Sequence, residues 1–308
     1  MHRYIIRRLG LLIPVLLGVM FIIFTLNYIT PGDPARIMLG EQAEEWQVEQ
    51  LREEMGLNDP YVVRLGIFFA NTMQLDFGRS LNSRRPVIDE ITARYPTTIQ
   101  LATMSILLAV LLGVPLGMIS AIKQYSAFDN VVTVLGLIGI SIPSFWLGLM
   151  LALLFSVSLG WLPPTGWTGP LTWIMPVVTL SSFPLAVIMR FTRSSMLEVI
   201  RQDYIRTARA KGMKEFKVIT RHALKNALIP VITVTGLQFG FLMGGAVVTE
   251  QIFAIPGLGN FMITSINMRD YPIIQGGVLL IAFTFSMINL VVDILYAYVD
   301  PRIRSQYN

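Results

Sequence analysis

From Asn130 to Met189 the chain carries no Asp, Glu, Lys or Arg, a run of about 60 residues. No ordinary helix is that long, and no solvated surface is that bare. Two membrane spans of about 20 residues each, joined by a turn, account for it. The turn is readable at Gly160-Trp161-Leu162-Pro163-Pro164-Thr165-Gly166-Trp167, which is rich in helix breakers. Its tryptophans suit a bilayer interface. The rest of the chain agrees: 54% of its 308 residues are hydrophobic and 14% are charged, with a mean hydropathy of +0.61. Soluble domains are usually about a quarter charged. A soluble protein with a thick core would intersperse its charges, and here they are grouped.

The grouping predicts the topology. An uncharged run lies between Arg8 and Asp33, with Arg3, Arg7 and Arg8 before it. It is too long for a secretory leader, and Tyr28-Ile29-Thr30 offers no small-residue cleavage site. It reads as a retained first span with its N-terminus inside. The second span lies between Arg94 and Lys123, and Lys123 and Asp129 bracket a short loop. The third and fourth come from the bare run, the fourth over about Trp173–Met189. Arg190–Lys225 carries a net charge of +7 and belongs inside. A fifth span follows over about Ala227–Thr249 and a sixth over about Tyr271–Tyr298, with Arg302 and Arg304 holding the tail inside. The expected fold is therefore all-α, with six transmembrane helices and both termini cytoplasmic. The basic excess, net +5, sits in inner loops and so does not point to nucleic acid.

Between the first two spans, residues 31–94 carry a net charge of −4 and read as a small extracytoplasmic segment. Val48, Leu51 and Met55 recur at helical spacing within Glu41–Gly56, and Gly56 is placed to end that helix. Pro86 could open another helix through Ile91. The divisions expected are 1–30 for the N-terminus and first span, 31–96 for the outer segment, 97–300 for the five-span core and 301–308 for the tail.

Enzyme chemistry finds little to work with. There is no cysteine, and His2 and His222 are the only histidines, so thiolate sites, histidine metal sites and a histidine triad are not expected. There is no G-x-x-x-x-G-K-[ST] loop, no H-E-x-x-H motif, and Gly257-x-Gly259 is a lone G-x-G that reads as a turn. No catalytic, cofactor or metal residues are assigned. Glu250 and Asp293 lie near span ends, each either an interfacial or locally paired carboxylate or a gate or helix-pairing contact. Gly236, Gly240, Gly244 and Gly245 recur at near-helical spacing and serve either close helix packing or a smooth pore wall. Gln238 is a candidate lumen residue.

The inner stretch 198–226 is the most informative. Asp203 stands at a candidate N-cap. Tyr204, Ile205 and Ala208 can share an apolar face, and Gly212 can end the helix in a left-handed turn. A second amphipathic stretch follows, with Phe216, Ile219, Ala223 and Leu224 spaced for one face. A helix–Gly–helix turn with an apolar face implies a protein socket more than a solvated loop.

These residues resemble a family. Asp203-Tyr204-Ile205-Arg206-Thr207-Ala208-Arg209-Ala210-Lys211-Gly212, followed by Ala227-Leu228-Ile229-Pro230, is similar to the coupling motif of ABC importer permeases, in the branch that handles dipeptides, oligopeptides, nickel and glutathione. Pro31-Gly32-Asp33-Pro34, Arg193-Ser194-Ser195-Met196, Pro256-Gly257-Leu258-Gly259, Arg269-Asp270-Tyr271-Pro272 and Asp300-Pro301-Arg302-Ile303-Arg304 agree, in order along the chain. Arg206 and Thr207 stand where the general motif has Glu-Ala, so the glutamate contact to the ATPase does not carry over.

The resemblance implies a type I ABC importer transmembrane domain in a prokaryotic cytoplasmic membrane. It implies a second, similar permease, two cytoplasmic ATPase subunits that bind the ATP and Mg, an extracytoplasmic solute-binding protein, and lipid around the spans. Asp203, Tyr204, Arg206, Thr207, Ala208, Ala210, Lys211 and Gly212 would form the ATPase-coupling element, with Gln238, Gly240, Gly244 and Glu250 in the pore or gate. The solute would be a peptide, with glutathione or a nickel chelate as the alternative. Leu159-Gly160-Trp161-Leu162-Pro163 and Gly236-Leu237-Gln238-Phe239-Gly240 look closest to the dipeptide and glutathione members. An ion-coupled secondary carrier would instead need ionisable groups in mid-span or helices broken at the midplane, for which Pro143 and Pro176 allow kinks. A membrane-embedded protease would need a paired acid or metal motif within the spans.

Overall fold

The structure, a computed structural model, describes residues 2–299; the tail motif Asp300-Pro301-Arg302-Ile303-Arg304 lies outside the described residues. It is all-helical apart from one isolated bridge between Arg79 and Pro86. Helix α1 (His2–Ile29) is the first span. Asp33 then caps α2 (Pro34–Leu39) by accepting from the Ala35 N–H, with Pro34 at the first helical position where its missing N–H costs nothing. Helix α3 (Glu45–Glu54) begins later than the expected Glu41, at a capping box between Glu44 and Gln47. Val48 is fully buried as expected, whereas Met55 is exposed; Gly56 ends the helix at φ +63°.

Arg52 ties this lobe together. Its Nε and Nη2 donate to Asp33 at 3.0 and 2.8 Å, and its Nη1 donates to Glu49 at 2.8 Å. The bond from Arg52, with a second from Asn58, holds the Glu49 carboxyl below the usual carboxylate range. A depressed carboxylate stabilises the fold above its unfolded pKa, and that contribution disappears as pH falls through the folded value. Amide-exchange protection of α3, compared with the intrinsic exchange rate at each pH, is therefore expected to hold at neutral pH and to fall as the Glu49 carboxyl protonates in acid.

The polar reading of 31–94 missed helix α4 (Tyr61–Met73). It lies along α1: Tyr61 Oη and Thr25 Oγ1 share a 2.7 Å hydrogen bond, and Phe24 packs on Phe68 and Tyr61 with ring centroids 5.3 and 5.6 Å apart. Val62, Ile67 and Met73 remain exposed. Thirteen residues reach about 20 Å, too short for a span of about 30 Å. An apolar outer face on so short a helix is the pattern of an element lying at a membrane interface.

Helix α5 (Val87–Ile122) corrects a second expectation. The short helix opened by Pro86 and the second span are one 36-residue helix that runs through position 96. Arg94 stays inside it because Glu90 accepts from its Nη1 at 2.6 Å and the Phe261 ring lies 3.8 Å beneath its guanidinium. The third span is bent rather than straight. Helices α6 (Ala127–Ser141) and α7 (Ser144–Leu151), the latter continued by π-helical turns over Ala152–Ser158, meet at 102°. Pro143 has no N–H to donate and forces Ile142 into an extended conformation (ψ 123°). Pro176, by contrast, sits inside an unbroken α8 (Pro170–Ile200).

Beyond α8 come α9 (Asp203–Ala210), the single turn α10 (Glu215–Lys217), π-helical turns over Val218–Ala223, α11 (Leu224–Ile252), α12 (Leu258–Asn267) and α13 (Tyr271–Val299). Five helices are long and apolar enough to span a membrane, and the bent pair makes six. The core lies between α5, α8 and α11, around Leu101, Met175, Ile188 and Leu242. At Gly117 the backbones of α5 and α8 touch, a β-carbon there falling on the Met189 carbonyl. Gly236 and Gly240 instead leave room on α11 for the Val292 and Phe285 side chains of α13.

Candidate functional site

The inner stretch folds as helix, turn, span. Gln202 takes the N-cap position of α9, so Asp203 is the first-turn acid rather than the cap. Its charge still favours the positive end of the helix. Gly212 holds φ +74°, and the Gly212 and Met213 N–H groups bond back to the Arg209 and Ala208 carbonyls. Arg209 then reaches Glu215 (Nη2 to Oε1, 2.7 Å), which fixes the turn from its far side.

The expected second short helix does not stand alone. From Glu215 the chain runs into α11 as one continuous helix, widened by the π turns.

The faces also differ from expectation. Ile205 and Ala208 are buried, but against this chain's own Ala121, Met196, Val218 and Ala223. The apolar face is thus filled internally by the ends of α5 and α8 and the start of α11, and Ala208 seats the helix rather than meeting a partner. Tyr204 departs from that face and stays exposed, its hydroxyl accepting from Asn226 Nδ2 at 2.9 Å. Of the second face, Ile219 and Ala223 are buried as expected and Leu224 packs beside them, but Phe216 is 80% exposed and Val218 is buried in addition. Asp203, Arg206, Thr207, Ala210 and Lys211 are all exposed. What α9 presents outward is therefore polar apart from Tyr204, with Phe216 of α10 as a second exposed aromatic beyond the turn.

At the opposite end of α11 from the Gly212 turn, Glu250 in its last turn is fully buried. Its Oε1 accepts from Thr98 Oγ1 (2.5 Å) and its Oε2 from the Asn260 N–H (2.9 Å), while Thr98 Oγ1 in turn accepts from the Leu258 N–H (2.8 Å). The carboxylate thereby caps the N-terminus of α12 from a neighbouring helix. This geometry pairs Glu250 locally, through Asn260, and also pairs α11 with α5, through Thr98. It also explains the two glycines. A β-carbon at Gly257 would fall on the Glu250 carboxyl, and one at Gly259 would meet the Val247 Cα at 2.7 Å.

The far end of α12 is held by Asp270. Its carboxylate accepts from Ser80 Oγ, from the Leu81 N–H at 3.1 Å and from Asn82 Nδ2 at 3.2 Å. Gly240 packs against α13, whereas a β-carbon at Gly244 would meet nothing, so Gly244 belongs to an open face with Leu237, Phe241 and Val248. Gln238 is half-buried, and its Nε2 is enclosed without a hydrogen-bond partner. Asp293 is half-buried on α13. Among the described residues no three His, Cys, Asp or Glu side chains are placed to hold a metal ion.

The profile of the binding-protein-dependent transport system inner membrane component matches residues 113–305, and the N-terminal profile of the same family matches residues 1–102. The chain belongs to this family. As a member it is a transport component of the inner membrane, with several spans. It is 45% identical to the dipeptide transport system permease protein of Alkalihalophilus pseudofirmus, over 99% of this chain and 100% of that protein. It is also 45% identical to the glutathione transport system permease protein of Escherichia coli strain K12, over 99% of each chain. The structure of the inward-facing methionine ABC transporter MetNI superposes with a TM-score of 0.59 at 18% identity, covering 69% of this chain and 97% of that one. That likeness concerns the fold, the transmembrane domain of a type I ABC importer.

One pair in this inner membrane component escaped the sequence reading. Asp129, read there only as the edge of a loop, is buried at the start of α6. It accepts from Arg193 of α8 in two places (Nε to Oδ1, 2.7 Å; Nη2 to Oδ2, 2.8 Å), from the Tyr125 N–H at 2.9 Å and from the Ser120 hydroxyl. One carboxylate thus joins α5, α6 and α8 just above the seat of α9. The signal available was local: Ser126-x-x-Asp129 is a helix-start pattern, and Ser126 does cap α6. Nothing along the chain pairs Asp129 with a residue 64 positions away.

Proposed function

We propose that this chain is the permease subunit of an ATP-driven importer that carries peptides across the cytoplasmic membrane, with both termini on the inner side. The observation that carries the proposal is the 45% identity to dipeptide and glutathione permeases over essentially the whole length of each. Glutathione is itself a small peptide, and the equal identity keeps it in the same substrate class. The working unit would contain a second permease and two cytoplasmic ATPase subunits that hold ATP and Mg, and a solute-binding protein would deliver cargo from outside.

In this reading Asp203, Tyr204, Arg206, Thr207, Ala210 and Lys211 face an ATPase, with Ala208 and Gly212 setting the angle of α9. Closure of the ATPases around ATP draws the coupling helices together. Because α9 is seated on the ends of α5, α8 and α11, its movement tilts those helices between inward-open and outward-open arrangements. The switch requires that ATP bind the two arrangements differently. Gln238 and Gly244 are assigned to the translocation path, and Glu250 to its outer end.

The test is recovery of the tagged chain from its native membrane, identification of what accompanies it, and an ATPase assay. Two ATPase chains and a second permease are expected. Gly212→Pro cannot adopt φ +74° and is expected to abolish solute-stimulated ATP hydrolysis. Gly212→Ala, which costs about 1 kcal/mol in a left-handed turn, should weaken it only partly. A chain recovered alone that moves solute into liposomes without ATP would overturn the proposal in favour of a secondary carrier.

A further inference from the structure

Helices α1 and α13 form a seam whose two ends differ in chemistry. The outer end opens into a chamber of about 420 Å³ between α1, the Arg52 lobe, α4 and the start of α13. Its lining includes Asn27 and Tyr28 of α1, Arg64 of α4, and Tyr271 and Gln275 of α13. Deeper along the seam lies an apolar groove of similar volume, bounded by Ile13, Leu17 and Met20 of α1 and by Leu279 and Phe283 of α13. Positions 13, 17, 20, 24 and 27 share one face of α1, and positions 272, 275, 279 and 283 share one face of α13. Chamber and groove are therefore successive stretches of one seam.

The chamber contains polar groups that the protein leaves unsatisfied. Asn27 Nδ2 and Tyr271 Oη are enclosed there without hydrogen-bond partners, and so is Thr72 Oγ1 on the groove wall. Buried donors without partners are costly, about 1–3 kcal/mol each, so a ligand acceptor is favoured. The charges point the same way. Arg52 is neutralised by Asp33 and Glu49. Among the described residues no carboxylate lies within ion-pair distance of Arg64; it donates one N–H to the Leu57 carbonyl at 3.1 Å and lies 5.3 Å from the Tyr28 ring centre. Its remaining N–H groups form a fork that matches two oxygens of a phosphate.

We propose that this seam holds one phospholipid, with its phosphodiester headgroup on Arg64, Asn27 and Tyr271 and an acyl chain in the groove beside Leu17 and Leu279. The 14 helical steps from Ile13 to Asn27 span about 21 Å along α1, the reach of a headgroup and one extended acyl chain in a single leaflet. A free phosphate or glycerophosphate could satisfy Arg64 but would leave the groove unused. The lipid would fasten α1 and α4, which lie outside the α5–α8–α11 core, to α13.

The test is native mass spectrometry of the complete complex purified in detergent, with glycerophosphate added in a parallel sample. One phospholipid retained per copy of this chain is expected, undisplaced by glycerophosphate at millimolar concentration. Arg64→Leu and the groove-filling Leu17→Trp should each remove it, while Leu11→Trp, at an exposed position of α1, should not. If Arg64→Leu fails to assemble, Leu17→Trp decides alone. Absence of retained lipid in the unaltered complex, retention unchanged by Leu17→Trp, or displacement by glycerophosphate would each overturn the proposal. The inference needs only the membrane spans and stands independently of the solute.

Discussion

Asp129→Ala is expected to be the most damaging single change at the inner end of this protein. It leaves Arg193 half-buried opposite an apolar void and removes the acceptor for Ser120 and the Tyr125 N–H. Breaking a buried pair from one side costs about 3–5 kcal/mol. Tyr125 adds to the cost, since it sits at φ +65°, where a non-glycine residue needs support. Purified Asp129→Ala should lose most of its folded yield and unfold at a markedly lower temperature. Removing both partners, Asp129→Ala with Arg193→Leu, should recover a substantial part of the loss, because no uncompensated charge remains. Double-mutant losses that merely add would show that the pair is not coupled. A folded Asp129→Asn protein should separate ATP hydrolysis from transport, since α6 would no longer follow α8.

Gly257→Val is expected to release α12 at the outer end. The valine side chain displaces the Glu250 carboxyl, and the Asn260 N–H and Thr98 hydroxyl lose their acceptor. Two stranded polar groups at about 1–3 kcal/mol each exceed what one flexible loop can absorb. The absence of cysteine allows a clean measurement. A single Met262→Cys, on the buried face of α12, should resist maleimide in the parent and label at least about thirtyfold faster with Gly257→Val, the equivalent of roughly 2 kcal/mol of local opening. Glu250→Gln, which keeps an acceptor oxygen, should fall between. Unchanged labelling in Gly257→Val would show that Glu250 does not hold α12.

Much of this architecture was legible along the chain because a bilayer leaves few options. A bare run must be helical inside the membrane, and basic clusters must stay on the inner side. Six spans, the Gly56 and Gly212 turns and the helix under Val48 all follow from short-range pattern. The errors were also physical. Helix α4 was hidden because its one arginine and its acidic flanks masked 13 largely apolar residues. Arg94 looked like a boundary, since a linear count cannot see Glu90 one turn back or the Phe261 ring that lets a cation remain within a helix. Phe216 shares helical spacing with the buried Ile219 and Ala223, but it sits in the single turn at the start of the helix, where no neighbouring element covers it.

The sequence by itself determined which segments are helical and enter the membrane, through local composition and the position of glycine, proline and charge. Only the tertiary structure decided which groups meet. Asp129 finds Arg193 across 64 residues and Glu250 finds Thr98 across 152. Asp270 closes on Ser80 across 190. The apolar face of α9 turned out to be satisfied within the chain itself. Hydrophobic and charge patterns set where a helix lies with respect to the bilayer, but the choice of partner among buried polar groups depends on helix rotation and depth, which packing alone fixes.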